Sequence, residues 1–232
     1  MRIVLIPGFT QSASAWDATR AALPAEQPSI ALELPDGQDF VATARALGDA
    51  GGPAMYVGYS LGGRLGLRLA LDWPDLVEAL VLVSATPGIE DEVERAKRRA
   101  ADEALARDVE HDGVEGFIDR WLAQPLFASL PSAASGRSER IRANTVTRLA
   151  HQLRVLGQGV QEPLWERLGD VEMPVALVTG LADTKYDAIA EAMFERLGDC
   201  VHVRLDAGHA VPLEAPDALA ELLVTFVYDV TE

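Results

Sequence analysis

Short unbroken apolar runs recur along the chain, and the stretches between them repeat their apolar residues every three to four positions. The runs are "RIVLI" (2–6), "SIALEL" (29–34), "AMYVGY" (54–59), "ALVLVSA" (79–85), "PVALVTG" (174–180) and "CVHVRLD" (200–206). Most are continuous rather than alternating, the pattern of parallel strands covered on both faces. Helices are predicted near 15–23, 40–49, 61–72, 185–197 and 216–228, and Pro216 suits the first turn of the last. Such alternation predicts a doubly wound α/β sheet with right-handed crossovers.

The alternation stops between Thr86 and Asp170, where no strand is predicted. Helical stretches fall instead near 90–109, 113–123, 138–157 and 162–168, with "PSAASGRS" (131–138) reading as a loop. An all-helical insertion at 86–170, too small to stand alone, predicts a lid over the strand ends of a single domain spanning 1–232. No run approaches about 18 uncharged apolar residues, the length that crosses a bilayer. The opening "MRIVLIPGF" is too short for a signal-peptide core. A cytoplasmic location away from membranes is therefore expected.

Charge narrows the partners. The formal net charge is -16, and Lys97 and Lys185 are the only lysines, so nucleic acid and anionic membranes should be repelled. An anionic substrate would need particular arginines to capture it against that field. With Cys200 alone, no intrachain disulfide or thiolate cluster can form. His111, His151, His202 and His209 lack metal-ligand spacing, so no metal site is expected. A monomer or weak homo-oligomer is the expected state.

The chemistry centres on Gly58-Tyr59-Ser60-Leu61-Gly62, a G-x-S-x-G with a predicted strand before it and a predicted helix after it. In that context the serine sits on a tight strand-to-helix turn, its Oγ exposed beside a helix N-terminus that favours a developing anion. A partner base is predicted in "DAGHAVPLEAP", where His209 follows the last predicted strand. His111 and His151 fall in the lid and His202 within a strand, which suits structural roles. The acid is expected from "LADTKYDAIA": Asp183 lies nearer the strand end, while Asp187 is the alternative and reads as beginning or sitting in the next helix, as an N-cap would. An oxyanion hole would combine the backbone N–H groups of Leu61 and Phe9. Arg64, four residues beyond Ser60, lies one turn along the same helical face.

The chain resembles a branch of the α/β-hydrolase fold, the 2-succinyl-6-hydroxy-2,4-cyclohexadiene-1-carboxylate synthases of menaquinone biosynthesis. The likeness is carried by "GFTQSASAWD", "GYSLGGRL", "PGIEDEVERAKRRA", "DRWLAQPLFASL", "IRAN", "LADTKYDAIA" and "AGHAVPLEAP". Where many relatives read His-Gly, this chain reads Pro7-Gly8. The resemblance implies a compact sheet of about six strands, mostly or fully parallel, with helices on both faces. It also implies a cofactor-independent lyase in which a triad-activated serine removes a proton and pyruvate is expelled. It carries over Arg98 and Arg142 as contacts to a small substrate rich in carboxylates, and Tyr59, Trp121 and Phe127 as pocket-lining residues. One residue of slippage would move the first role to Arg95 or Arg99, and Arg140 and Arg148 flank the second.

The same triad would serve an esterase or C–C bond hydrolase working through an acyl-enzyme on Ser60. The arginines favour the lyase, since a pocket for neutral esters would be mostly apolar. A non-catalytic binding module has no need of Ser60, Asp183 and His209 together.

Overall fold

In the computed structural model, which describes residues 1–230, the first strand explains why the apolar runs are unbroken. Ile3 and Leu5 of β1 (Ile3–Ile6) face one apolar layer, Val4 and Ile6 face the other, and all four are fully buried. The remaining strands are β2 (Ser29–Ala31), β3 (Ala54–Tyr59), β4 (Val77–Val83), β5 (Val175–Gly180) and β6 (Cys200–Leu205). They form one sheet in the order β2-β1-β3-β4-β5-β6, parallel throughout. The predicted run at 29–34 is cut short at the sheet edge. Strand β2 ends at Ala31, although Leu32 still donates its N–H to the Leu5 carbonyl at 2.9 Å.

Helices α1 (Asp17–Ala22), α2 (Phe40–Gly51) and α3 (Leu61–Asp72) connect the first strands. The lid contributes α4 (Glu92–Leu122), α5 (Arg137–Ala143) and α6 (Val146–Val155). The sheet is completed by α7 (Thr184–Phe194), α8 (Val211–Glu214) and α9 (Pro216–Asp229), the last opening on the predicted proline. Residues of α2, α3 and α7 fill the layer on one face, and α9, packed on α1, closes the other. Helices therefore cover both faces of a fully parallel six-stranded sheet, as predicted.

The segment 86–170 holds no strand and packs as helices over the carboxyl ends of the strands. Its predicted first two helices run together as α4, broken only at Gly113, whose φ of 73° and ψ of 178° leave the helical region. The predicted helix 138–157 is split instead. Asn144 is extended and donates its Nδ2 to the carbonyls of Thr10 (2.8 Å) and Arg140 (2.7 Å), while Thr145 accepts the Arg148 N–H and caps α6. Short polar side chains here compete with the helix for backbone partners, which helical periodicity does not register. The predicted helix 162–168 is a 3₁₀ segment, Trp165–Asp170. The single-domain expectation runs to 232; residues 231 and 232 lie outside the described residues.

The lid has a core of its own, with Ala106, Val109, Phe117 and Ile118 of α4 packed on Leu149, Ala150 and Leu153 of α6. Each large side chain buried there contributes roughly 1.5–3 kcal/mol. Arg154 also bridges Glu103 and Glu110 across the seam, but these exposed pairs are screened by solvent. Apolar packing holds the lid together. Among the described residues no helix is long and apolar enough to cross a membrane.

Candidate active site

Strand β3 delivers Ser60 into a conformation few residues tolerate, φ 51° and ψ -105°, and α3 begins at the next residue. The glycines on either side are needed for close approach. A Cβ on Gly58 would meet the Gly62 carbonyl, and one on Gly62 would meet the carbonyls of Ile6 and Pro7. The turn is secured by the Ser60 N–H donating to the Val83 carbonyl at 2.8 Å. A strained, over-determined serine at a strand end is the geometry of a nucleophile elbow.

The loop after β6 carries His209, 2% exposed, and the loop after β5 carries Asp183, also buried. His209 Nδ1 lies 2.7 Å from Asp183 Oδ2, and Nε2 lies 3.4 Å from Ser60 Oγ. With the carboxylate ionised, Nδ1–H donates to Asp183, which leaves Nε2 free to accept from the serine. Asp183 also caps α7, its Oδ1 accepting the Tyr186 N–H at 3.3 Å. Asp187 sits in the first turn of that helix, as read from the sequence, while the cap expected of it falls to Asp183. Asp187 is engaged elsewhere, accepting from Arg204 at 2.7 Å and Thr179 at 3.0 Å. Burial pushes its carboxyl up, but those hydrogen bonds outweigh it and hold the group below the usual range.

Three aromatic rings wall the imidazole off from water: Tyr186 at 4.5 Å between centroids, Tyr59 at 5.5 Å and Phe127 at 6.0 Å. Burial also pushes the Tyr59 hydroxyl far above its ordinary range, so it stays neutral. Trp121 packs edge-on against Phe9 at 5.0 Å and joins Phe127 at 6.1 Å. Phe9 and Leu61 both line the pocket, and among the described residues no hydrogen-bond partner meets either amide. Leu61 opens α3, where the first amides have no carbonyl to meet. At Pro7-Gly8 the turn is held locally, by Gln11 Oε1 accepting the Gly8 N–H at 3.0 Å.

Between the elbow and the lid lies a pocket of about 480 Å³. Arg64 is in its wall, one turn along α3 from Ser60, and is 6% exposed. The stretch after α6 folds over it, so that its guanidinium donates to Leu156 O (2.8 Å) and Gln161 Oε1 (2.9 Å). Burial lowers its pKa to about 10, which leaves it charged at neutral pH. Arg98 reaches the pocket, donating to Asp102 Oδ1 at 2.7 Å and Gln158 Oε1 at 3.0 Å. Of its neighbours, Arg95 turns to the carbonyls of Ile89 and Glu90, and Arg99 faces away from this pocket.

The expectation for Arg142 needs correction. That side chain is exposed, pairs with Glu139 and does not line the pocket. Arg140 takes the place, 3% exposed, donating to Ser135 O at 2.9 Å, to Phe9 O at 3.4 Å and to Thr10 Oγ1. Residues two apart on a helix point about 200° away from each other, so only one of the two arginines can face inward. Its Nη2 is buried without a partner, and burial lowers the pKa of the group. Among the described residues neither Arg64 nor Arg140 has a carboxylate partner.

Sequence reasoning missed Glu214. Its two oxygens accept the N–H groups of Gly208 and Ala210, each at 2.9 Å, and so clamp the backbone on both sides of His209. The only trace in the sequence is an acidic residue five positions after the histidine, too common a pattern to single out. Tyr186 was missed for a similar reason, its contact with His209 depending on how α7 docks.

A family model described as "Alpha/beta hydrolase family" matches residues 3–222. The chain is 36% identical over 177 residues to a protein of Bacillus subtilis (strain 168) named putative 2-succinyl-6-hydroxy-2,4-cyclohexadiene-1-carboxylate synthase, a match covering 74% of this chain and 64% of that protein. It is 33% identical over 172 residues to the 2-succinyl-6-hydroxy-2,4-cyclohexadiene-1-carboxylate synthase of Salmonella typhimurium (strain LT2), covering 72% and 67%. Its fold is similar to that of MenH from S. aureus, with a TM-score of 0.92 at 24% identity, covering 100% of this chain and 95% of that one. It is also similar to that of a thermophilic esterase from Thermogutta terrifontis, with a TM-score of 0.80 at 19% identity, covering 99% and 90%. From the serine turn, the parallel sheet and the match along nearly its whole length, the chain belongs to the alpha/beta hydrolase family.

Proposed function

We propose that the protein is a cofactor-independent lyase that eliminates pyruvate from a carboxylate-rich intermediate of menaquinone biosynthesis. The observation that carries this reading is the pair Arg64 and Arg140, two buried cations without carboxylate partners in the wall of the pocket that holds Ser60. An unpaired buried charge is costly, and a substrate carboxylate would compensate it. Guanidinium groups suit planar carboxylates because they can donate two parallel hydrogen bonds. The names of the relatives from B. subtilis and S. typhimurium support the same chemistry.

In this reading His209 accepts the Ser60 hydroxyl proton as the serine oxygen takes a proton from a substrate carbon. The electron pair of that C–H bond becomes a new C=C bond, and the C–O bond to the leaving group breaks. Pyruvate departs as its enolate, which takes up at carbon the proton held by His209 and so returns the triad to its starting state. Asp183 orients the imidazole and stabilises its cation, and the amides of Phe9 and Leu61 receive negative charge as it develops on the substrate. The 3.4 Å between His209 and Ser60 is long for this transfer and should shorten when substrate fills the pocket. The substrate is a small anion, and Arg98, Tyr59, Trp121 and Phe127 complete its surroundings. The same reading puts the enzyme in the cytoplasm, as a monomer or weak homo-oligomer apart from nucleic acid and membranes.

The test is pyruvate release from the pathway intermediate beside turnover of p-nitrophenyl esters. A kcat/KM of about 10⁴ M⁻¹s⁻¹ or more is expected on the intermediate, with a sharp fall in Arg64→Ala. Rapid ester turnover without pyruvate would mean that Ser60 works as an acylating nucleophile.

The arginine assignment has its own check in the same assay. Arg140→Met is expected to lose about 10- to 100-fold in kcat/KM, the worth of one or two charge-assisted hydrogen bonds. Arg142→Ala should stay within about two-fold of wild type, since that side chain lies in solvent. The reverse order would return the role to Arg142.

A further inference from the structure

A second cavity of about 630 Å³ lies against the active-site pocket, bounded by the 86–91 loop, α4 and α7. The two share a wall made of Arg98, Ala101, Gln158, Lys185 and Tyr186. The wall is hydrogen-bonded from lid to core. Arg98 donates to Gln158 Oε1 at 3.0 Å, and Gln158 Nε2 donates to the Tyr186 hydroxyl at 3.0 Å. The Tyr186 ring in turn packs on His209.

Charge around this outer cavity is uneven, with Glu90, Asp91 and Glu94 on the side of the 86–91 loop and the start of α4, and Arg98 and Lys185 in the shared wall. Both lysines of the chain border it. Lys97 is neutralised by Glu94 at 2.7 Å, whereas Lys185 has no carboxylate partner among the described residues and lies 5.6 Å from the Tyr186 ring centroid. Many other exposed cations are paired, Arg107 with Glu103, Arg137 with Asp119 and Arg204 with Asp187 among them. Lys185 thus presents a free positive charge at the boundary of both cavities, on a molecule of net charge -16.

We infer that the outer cavity is a carboxylate-binding antechamber to the active site, with Lys185 as its capture residue. This deepens the proposed lyase reading and rests on the substrate being an anion. A carboxylate approaching through the surrounding negative field gains local attraction only within about 10 Å of an unpaired cation at ordinary ionic strength. Lys185 supplies that attraction at the partition. Arg98 stands in the same wall, and with Asp102 holding its Nε and Gln158 its Nη1, its Nη2 is left to take the carboxylate. The same route serves pyruvate on departure, because it is smaller than the product that stays on the buried arginines.

The test compares wild type, Lys185→Gln and Lys185→Arg in pyruvate release at about 0.02 M and about 0.5 M salt. Lys185→Gln is expected to lower kcat/KM about five- to ten-fold at low salt and less than about two-fold at high salt, with kcat little changed. Lys185→Arg should restore the low-salt value. A loss of equal size at both salts, or none at low salt, overturns the proposal. A second arm needs no turnover: pyruvate is titrated into the protein, and broadening of its methyl resonance reports binding. Lys185→Gln should weaken that binding at least about three-fold by removing one charge contact. An unchanged affinity overturns the antechamber even if the lyase reading stands. A wild type that binds pyruvate through Lys185 yet releases none from the intermediate overturns the lyase reading instead.

Discussion

Ser60→Ala is expected to lower kcat/KM for pyruvate release by about 10³-fold or more, with no loss of thermal stability. The two halves of this result have separate causes. Activity falls because the Oγ that faces His209 Nε2 is gone. Stability is spared because alanine bears the same backbone strain that serine bears at a φ of 51°, roughly 1–3 kcal/mol, and the Ser60 side chain caps nothing in α3. Ser60→Gly sharpens the point, since glycine accepts that backbone without strain. It should raise the midpoint of thermal unfolding by about 2–4 °C while remaining inactive. Scanning calorimetry and the pyruvate assay on the same samples would check both. Retained activity would remove Ser60 from the chemistry, and a large drop in the midpoint would mean the turn depends on the hydroxyl.

Asp183→Asn should cost about 10³- to 10⁴-fold in kcat/KM, because an amide cannot hold the imidazole with Nδ1 as the donor. Its nitrogen would face the Nδ1–H, and the ring would turn over to the tautomer whose Nε2 carries the proton. The serine would then face a donor instead of an acceptor. The fold should tolerate the change, since the remaining oxygen can still cap α7 through the Tyr186 N–H. Circular dichroism of the variant is expected to match that of wild type. Asp187→Asn is the companion measurement. It removes the charge that Arg204 pairs with while leaving an oxygen for Arg204 and Thr179 to donate to, and should stay within about two-fold in activity, since neither contact reaches His209. A large loss in Asp187→Asn with activity kept in Asp183→Asn would exchange the two assignments.

The site departs from the sequence reading in ways that share a cause. The i+4 spacing that put Arg64 one turn beyond Ser60 describes one helix and says nothing of what packs over it. Residues 156–161 cover that arginine, and the lid contacts converting it from a solvated charge to a buried one come from more than ninety positions away. Arg142 was carried over by motif, but the split at Asn144 sets the phase of α5 and turns Arg140 inward instead. Glu214 and Tyr186 act on His209 through loop closure and helix docking, and neither leaves a distinctive local pattern.

What the sequence determined by itself were the properties carried by neighbours in the chain. Unbroken apolar runs specified strands buried on both faces, glycines around Ser60 specified the turn, and loop positions after β5 and β6 put an acid and a histidine on the serine's side of the sheet. These follow from sterics and periodicity over a few residues, which any reader of the chain can count. Only the tertiary structure decided which arginines lost their water, which aspartate faced the histidine, and that Lys185 kept its charge unpaired between two cavities. Those outcomes depend on desolvation and on contacts between residues far apart in the chain, and both are set only when the lid closes on the sheet.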